Sequence, residues 1–329
     1  MRSRYTNPGK TAKLKVVPMS NVLIVGGAGF IGSHLVARCC TEGHAVHVLA
    51  RPGTDLHRLK HIDRTFRLHI LELADTRALQ RCLVAAKARY IFYLAAATRR
   101  KPEPSLADAF GSVQEDLLGL LQTIAAVAEA PVSPIAFVRA GTLAAYGKAP
   151  MPHLETQREM PCTTYAAGLV AGHHYVEALQ PRLAFPILTA RLSLVFGPGQ
   201  SGDFLIPSLI LKCLVGEPSI VRRPNERRDL LFVQDAVDGL YQVANVCHQK
   251  TPLINIASGC APTMREVATL IVEKVGVNPT LVEFSETSAS DDVDLCPSPA
   301  LAEAVVGWKA RVPWRDGIAR TIDWARKHT

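Results

Sequence analysis

Val22-Leu23-Ile24-Val25-Gly26-Gly27-Ala28-Gly29-Phe30-Ile31-Gly32 is a short apolar run that breaks into spaced glycines and then opens a helical pattern. An apolar run of this length bounded by glycine reads as a buried strand, and the continuation Ser33-His34-Leu35 reads as a helix start. Each spaced glycine has its own steric task. Gly26 permits a tight turn, Gly29 lets backbone approach a pyrophosphate, and Gly32 lets helix and strand pack closely. The free amides and dipole of the helix start favour an anion, so Gly26, Gly29, Phe30, Ile31 and Gly32 are candidate dinucleotide contacts.

Working outward, apolar runs alternate with helical patterns as far as about residue 200. Strands are expected at 21–25, 45–49, 67–71, 90–94, 135–139 and 186–191, with helices at 31–42, 76–87, 107–129 and 165–180. The long helix carries an apolar stripe of Leu117, Leu118, Leu120, Leu121, Ile124 and Val127. This alternation is the signature of βαβ units, hence an α/β fold with a Rossmann-type doubly wound parallel sheet. Past Gly197-Pro198-Gly199 the elements shorten, with helices at 204–215, 235–247, 263–275 and 315–327 and a strand at 252–256. The expected division is a flexible basic tail (1–20), a dinucleotide-binding domain (21–198) and a smaller C-terminal α/β lobe (199–329) that mainly binds substrate. A strand or helix of that lobe is free to return to the first domain.

With 329 residues, 48% hydrophobic and 20% charged, the chain has the composition of a soluble, cytoplasmic α/β protein, and no apolar run is long enough to span a bilayer. The net charge is +8, but Arg2, Arg4, Lys10, Lys13 and Lys15 precede the first strand without an acid among the first twenty residues, which leaves +3 for the rest. Arg99-Arg100-Lys101 and Arg222-Arg223 are too short to make a nucleic-acid surface. Eight cysteines show no C-x-x-C spacing, so neither a metal site nor a redox pair is expected.

The second strand ends Leu49-Ala50-Arg51, without the acid that would grip the ribose 2′-hydroxyl of NAD. Arg51 suits a 2′-phosphate, so NADP(H) is favoured over NAD(H); an exposed loop arginine is the competing reading.

The chain resembles the extended short-chain dehydrogenases/reductases, the family of nucleotide-sugar epimerases, dehydratases and 4-ketoreductases. The likeness is carried by Gly26-x-x-Gly29-x-x-Gly32, Tyr93-Leu94-Ala95-Ala96, Thr142-x-x-x-Tyr146-Gly147, Tyr165, Arg191 with Gly197-Pro198-Gly199, Arg228-Asp229, Asn255-Ile256-Ala257-Ser258-Gly259 and Gly307-Trp308-Lys309. The resemblance implies that Glu72 and Leu73 flank an adenine and that Leu94, Ala95 and Ala96 line the nicotinamide side. It also implies that Asp75 starts a helix. Read without it, Glu72 is a solvated strand-end charge. Candidate substrate contacts are Thr98 and Arg228, the latter at the family's diphosphate-contacting position; an ion pair with Asp229 or Asp235 is the alternative for Arg228.

In that family a serine or threonine, a tyrosine and a lysine four residues later work together. Here Thr142 and Tyr165 match the first two, and Leu169 stands in place of the lysine. A free tyrosine ionises near pH 10, so losing the cation matters for proton transfer. His173, one turn past Leu169, is a candidate substitute; His173 and His174 covering a helix surface is the competing reading. Leu143-Ala144 replaces the Asp-Glu of the family's dehydratases, and Leu194 replaces an asparagine that helps to hold nucleotide-sugar phosphates. The expected function is an NADP(H)-dependent ketoreductase or epimerase of a nucleotide-linked sugar, working as a homodimer. The alternative is a redox-silent relative that keeps the cofactor as scaffold or sensor, or uses the pocket for cyclisation, elimination or hydrolysis.

Overall fold

The strand β1 (Asn21–Val25) and its neighbours are apolar along their length because helices cover both faces of the sheet. The computed structural model describes residues 19–62, 65–98, 103–247, 252–285 and 293–328. The tail up to residue 18 and the Arg99-Arg100-Lys101 cluster lie outside the described residues.

After β1 come α1 (Phe30–Thr41), β2 (Ala45–Ala50), β3 (Arg67–Ile70), α2 (Thr76–Ala86) and β4 (Tyr90–Tyr93). Asp75 starts α2 as expected, its carboxylate accepting from the Ala78 amide at 2.9 Å. The long helix foreseen at 107–129 is three consecutive segments, α3 (Ala107–Gly111), a π-helical stretch Ser112–Leu118 and α4 (Gly119–Ala128). Its inward face differs from the leucine stripe. Leu120, Ile124 and Val127 are buried, but Leu118 is exposed, while Asp108, Ser112 and Asp116 turn inward. The first half of this helix closes over polar groups of α5 (Thr164–Leu179) and of the loop after β4: Asp108 accepts from the Thr164 hydroxyl at 2.8 Å, and Asp116 from the Ala97 amide at 2.9 Å.

Beyond β5 (Ala136–Thr142), α5 and β6 (Ile187–Leu192), the remaining elements are β7 (Leu194–Phe196), α6 (Leu205–Val215), β8 (Ser219–Val221), β9 (Leu230–Phe232), α7 (Val233–Val243) and β10 (Leu253–Ile256). The chain ends through α8 (Met264–Val275), β11 (Val282–Phe284), α9 (Ala300–Val306) and α10 (Trp314–His328). Among the described residues seven strands form one parallel sheet in the order β10-β6-β5-β4-β1-β2-β3. Strand β10, read above with the smaller lobe, pairs with β6 at the sheet edge, and α7 packs on α1, with Tyr241 bonded to His44 at 2.8 Å. Two apolar clusters cover the faces of the sheet, and a third joins α6, α8 and α10 with the short pairs β7–β9 and β8–β11.

The chain steps outward from β1 through β2 to β3, then crosses back to place β4 on the other side of β1. At such a reversal the loops leaving neighbouring strands diverge and open a crevice at the carboxyl ends of the strands. Among the described residues no helix is long and apolar enough to cross a membrane.

Candidate active site

The crevice lies over the glycine elbow. Gly26 has φ +81°, the left-handed region that favours glycine, and its amide donates to the Leu49 carbonyl at 2.9 Å. A Cβ there would stand 3.0 Å from backbone atoms of Leu94 and Ala95. A Cβ on Gly32 would stand 2.3 Å from the Gly26 carbonyl oxygen, so α1 rests directly on the turn. Gly29 is the exposed N-cap of α1, and among the described residues no side chain caps the first turn. Open amides at the positive end of a helix dipole, with no side chain in the way, are what a pyrophosphate needs.

A cavity of about 330 Å³ opens beside this elbow. Gly26 and Gly29 line it from the turn, Arg51 from the end of β2, Glu72 and Leu73 from the loop after β3, and Leu94, Ala95 and Ala96 from the loop after β4. Most of the dinucleotide contacts read from the sequence are thus brought to one place. Phe30, Ile31 and Gly32 form the first turn of α1 and do not line the cavity, and Thr98 is an exposed residue outside it. Arg51 is exposed and lies 3.3 Å from Glu115 of the π-helical stretch, which lines the same cavity.

Thr142 ends β5, and its hydroxyl accepts from the Ala144 amide at 3.2 Å. Tyr165 lies in the first turn of α5, where the Thr163 hydroxyl caps the helix by accepting from the Ala166 amide. The Thr142 hydroxyl lies near enough to act on that of Tyr165 and favours its ionised form. Burial pushes the Tyr165 hydroxyl up to about 12; the Asp116 carboxylate adds to that rise, and the nearby Thr142 hydroxyl and the charge of Arg139 oppose it.

His173 does not replace the lysine. Its ring is buried and pairs with the Thr189 hydroxyl at 3.2 Å, and burial together with Arg191 and Arg139 lowers it to about 4. It is therefore uncharged at neutral pH. The cation near Tyr165 is one that the sequence reading passed over, Arg139 in the middle of β5. Its only sequence signal is a charge inside the apolar run Ala136-Phe137-Val138-Arg139-Ala140 of a strand paired on both sides.

Arg228 lines a second cavity, of about 470 Å³, together with Leu194, Phe196, Gln200 and Arg223. Its ion-pair partner is Glu226, at 2.7 Å, rather than Asp229 or Asp235. Those two acids are occupied elsewhere: Asp229 accepts from the Ser258 and Cys260 amides, and Asp235 from the Arg311 and Val312 amides.

The sequence model of the NAD dependent epimerase/dehydratase family matches residues 22–257, a span that holds the elbow, Thr142, Tyr165 and Arg228. The chain belongs to this family. Among curated relatives, a UDP-glucose 4-epimerase of Mycolicibacterium smegmatis is 28% identical over 92% of this chain and 98% of its own length. A dTDP-D-glucose 4,6-dehydratase of Mus musculus is 24% identical over 98% of this chain and 91% of its own length. The solved structure of a Thermus thermophilus UDP-glucose 4-epimerase in complex with NAD superposes with a TM-score of 0.82 at 26% identity, covering 94% of this chain and 100% of that one. Within the epimerase/dehydratase family this chain carries Leu169 four residues after Tyr165.

Proposed function

We propose that the chain is a pyridine-nucleotide-dependent enzyme that reduces a ketone on a nucleotide-linked sugar, with 4-epimerisation as the neighbouring activity. The observation that carries this reading is the placing of Thr142 at the end of β5 beside Tyr165 in the first turn of α5, with the Tyr165 hydroxyl pushed up to about 12. Such a phenol stays protonated through the neutral range, so it is ready to donate a proton and scarce as a base. Reduction of a carbonyl needs a proton donor; oxidation of an alcohol needs the base. Leu143 and Ala144 offer no acid after Thr142 for an elimination, which argues against a dehydratase.

A bound nicotinamide would supply hydride transfer. The residues fit such a group at the glycine elbow, whose amides and missing side chains suit a pyrophosphate. Glu72 and Leu73 would flank the adenine, and Leu94, Ala95 and Ala96 the nicotinamide side. Thr142 would hold the substrate oxygen by its hydroxyl, and Tyr165 would deliver its phenolic proton to that oxygen. Arg228 would anchor the diphosphate, a task for which its guanidinium must share or leave Glu226. NADP(H) is favoured on Arg51, and NAD(H), held by the Thermus relative, is the competing cofactor.

The test is consumption of NADPH or NADH, followed by absorbance, with a panel of 4-keto nucleotide sugars. Turnover is expected, and Tyr165→Phe is expected to lower it about a hundredfold or more with nucleotide affinity retained. Nucleotide binding without turnover of any ketosugar moves the protein to the redox-silent reading, which Leu169 favours.

A further inference from the structure

Strand β5 carries a guanidinium where the sheet, covered on both faces, shields it from solvent. Arg139 is 1% exposed; its Nη2 donates to the Leu169 carbonyl at 2.7 Å, and among the described residues its Nε and Nη1 have no hydrogen-bond partner. A buried cation with two donors unmet is costly, and an aliphatic side chain would serve the core better. The fold nevertheless makes space for it. A Cβ on Gly172 of α5 would stand 2.7 Å from Nη2 and 3.1 Å from Cζ, so only glycine leaves the notch into which this head group fits.

Leu169 is one helical turn past Tyr165 and Gly172 about two, so the guanidinium lies beneath the first turns of α5, on the side that faces the sheet. The groups it acts on by charge include Tyr93 of β4, Tyr165 and His173 of α5, Arg191 of β6 and Asp116 of the π-helical stretch. Tyr165 in turn faces Thr142 of β5, Asp116 and Arg139. His173, on the same helix, is uncharged at neutral pH. Burial pulls the guanidinium down to about 10, which still leaves it charged at neutral pH.

We propose that Arg139 supplies the positive charge of this site from the sheet below α5, as a positioning residue that acts through Tyr165 and offsets the negative charge of Asp116. It would do electrostatically what a lysine at position 169 does in the family pattern, and the charge arrives from below rather than along the helix. An uncharged side chain at position 169 is consistent with this, since a lysine ammonium there would add a second positive charge near the buried guanidinium. The proposal rests on the reading of Thr142 and Tyr165 as the reacting pair.

The test uses the full chain, free of ligand, labelled with ring-fluorinated tyrosine, which ionises at lower pH than tyrosine. The Tyr165 resonance is assigned in fluorine NMR by its loss in Tyr165→Phe and followed against pH. In Arg139→Met its midpoint is expected to rise by about one pH unit, and in Arg139→Lys to stay near the parent value. Where Arg139→Met does not fold, Gly172→Ala decides, because it keeps the charge but evicts the head group from its notch; the same upward shift is expected. An unchanged midpoint in Arg139→Met, or in Gly172→Ala if that variant must stand alone, overturns the proposal. No nucleotide or sugar enters this titration, so a failed ketosugar assay sinks the reductase reading and leaves the Arg139 result standing on its own.

Discussion

Arg51 and Glu115 stand 3.3 Å apart and line the same cavity, so whatever cofactor enters meets them as a pair. A 2′-phosphate would have to draw Arg51 away from Glu115 and would itself be repelled by that carboxylate. Both side chains are exposed, 60% and 47%, which limits what either charge contributes. Arg51→Ala is therefore expected to weaken NADPH binding about fivefold and NADH binding little, and Glu115→Gln to tighten NADPH alone. Calorimetric titration of the two nucleotides against each variant measures this; equal losses for both nucleotides in Arg51→Ala would remove the 2′-phosphate from the assignment. The same residue scale decides the Tyr165 question, where the relevant cation is Arg139 beneath the helix and not His173 upon it.

At the scale of the element, the two glycines that flank the helix start separate folding from binding. A Cβ on Gly32 would meet the Gly26 carbonyl oxygen at 2.3 Å and the Gly27 Cα at 2.8 Å, backbone atoms that yield only if α1 moves. Among the described residues a Cβ on Gly29 would meet within 4 Å that same oxygen alone, at 3.2 Å, and the second glycine of such an elbow is the one whose bare backbone lets a pyrophosphate approach. Gly32→Ala is thus expected to cost about 2 kcal/mol of stability as well as nucleotide affinity. Gly29→Ala is expected to keep the melting temperature and lose affinity about tenfold; a fall in melting temperature as large as that of Gly32→Ala would contradict this division. The elbow was legible in the sequence because each glycine is demanded by local backbone, and the inner strands β1, β2, β4, β5 and β6 because strands buried on both faces read as largely apolar runs, whereas β3, at the sheet edge, is mostly exposed. The strands β7, β8, β9 and β11 were not legible, since three residues carry no period. The place of β10 at the sheet edge depends on long-range pairing with β6, and the task of Arg139 depends on a notch some thirty residues away, at Gly172. Neither leaves a mark in local spacing.

At the scale of the whole molecule, the helices that close over the site also present an outer face that a solitary chain would keep polar. Leu106, Phe110, Val113 and Leu118 are 62%, 68%, 54% and 46% exposed, and their spacing places them along one side of α3 and the π-helical stretch. Alongside, α5 packs against this helix, tied by the Ser112 hydroxyl donating to the Thr164 carbonyl at 2.8 Å. Its outer side carries Ala167, Ala171, Tyr175 and Ala178, small or apolar residues at helical spacing, with Tyr175 exposed by half. Two such faces brought together by a twofold axis would bury both stripes in a four-helix contact, and so the protein is proposed to be a homodimer. Since α5 carries Tyr165 and the notch for Arg139, loosening that contact would reach the site through the helix. The expected outcome is a dimer by light scattering at micromolar concentration, converted to a monomer by Val113→Glu combined with Ala171→Glu, because charges buried opposite their own symmetry copies repel. A parent chain already monomeric at that concentration would refute the dimer, and a monomeric variant with undiminished turnover would show that the site owes nothing to the contact.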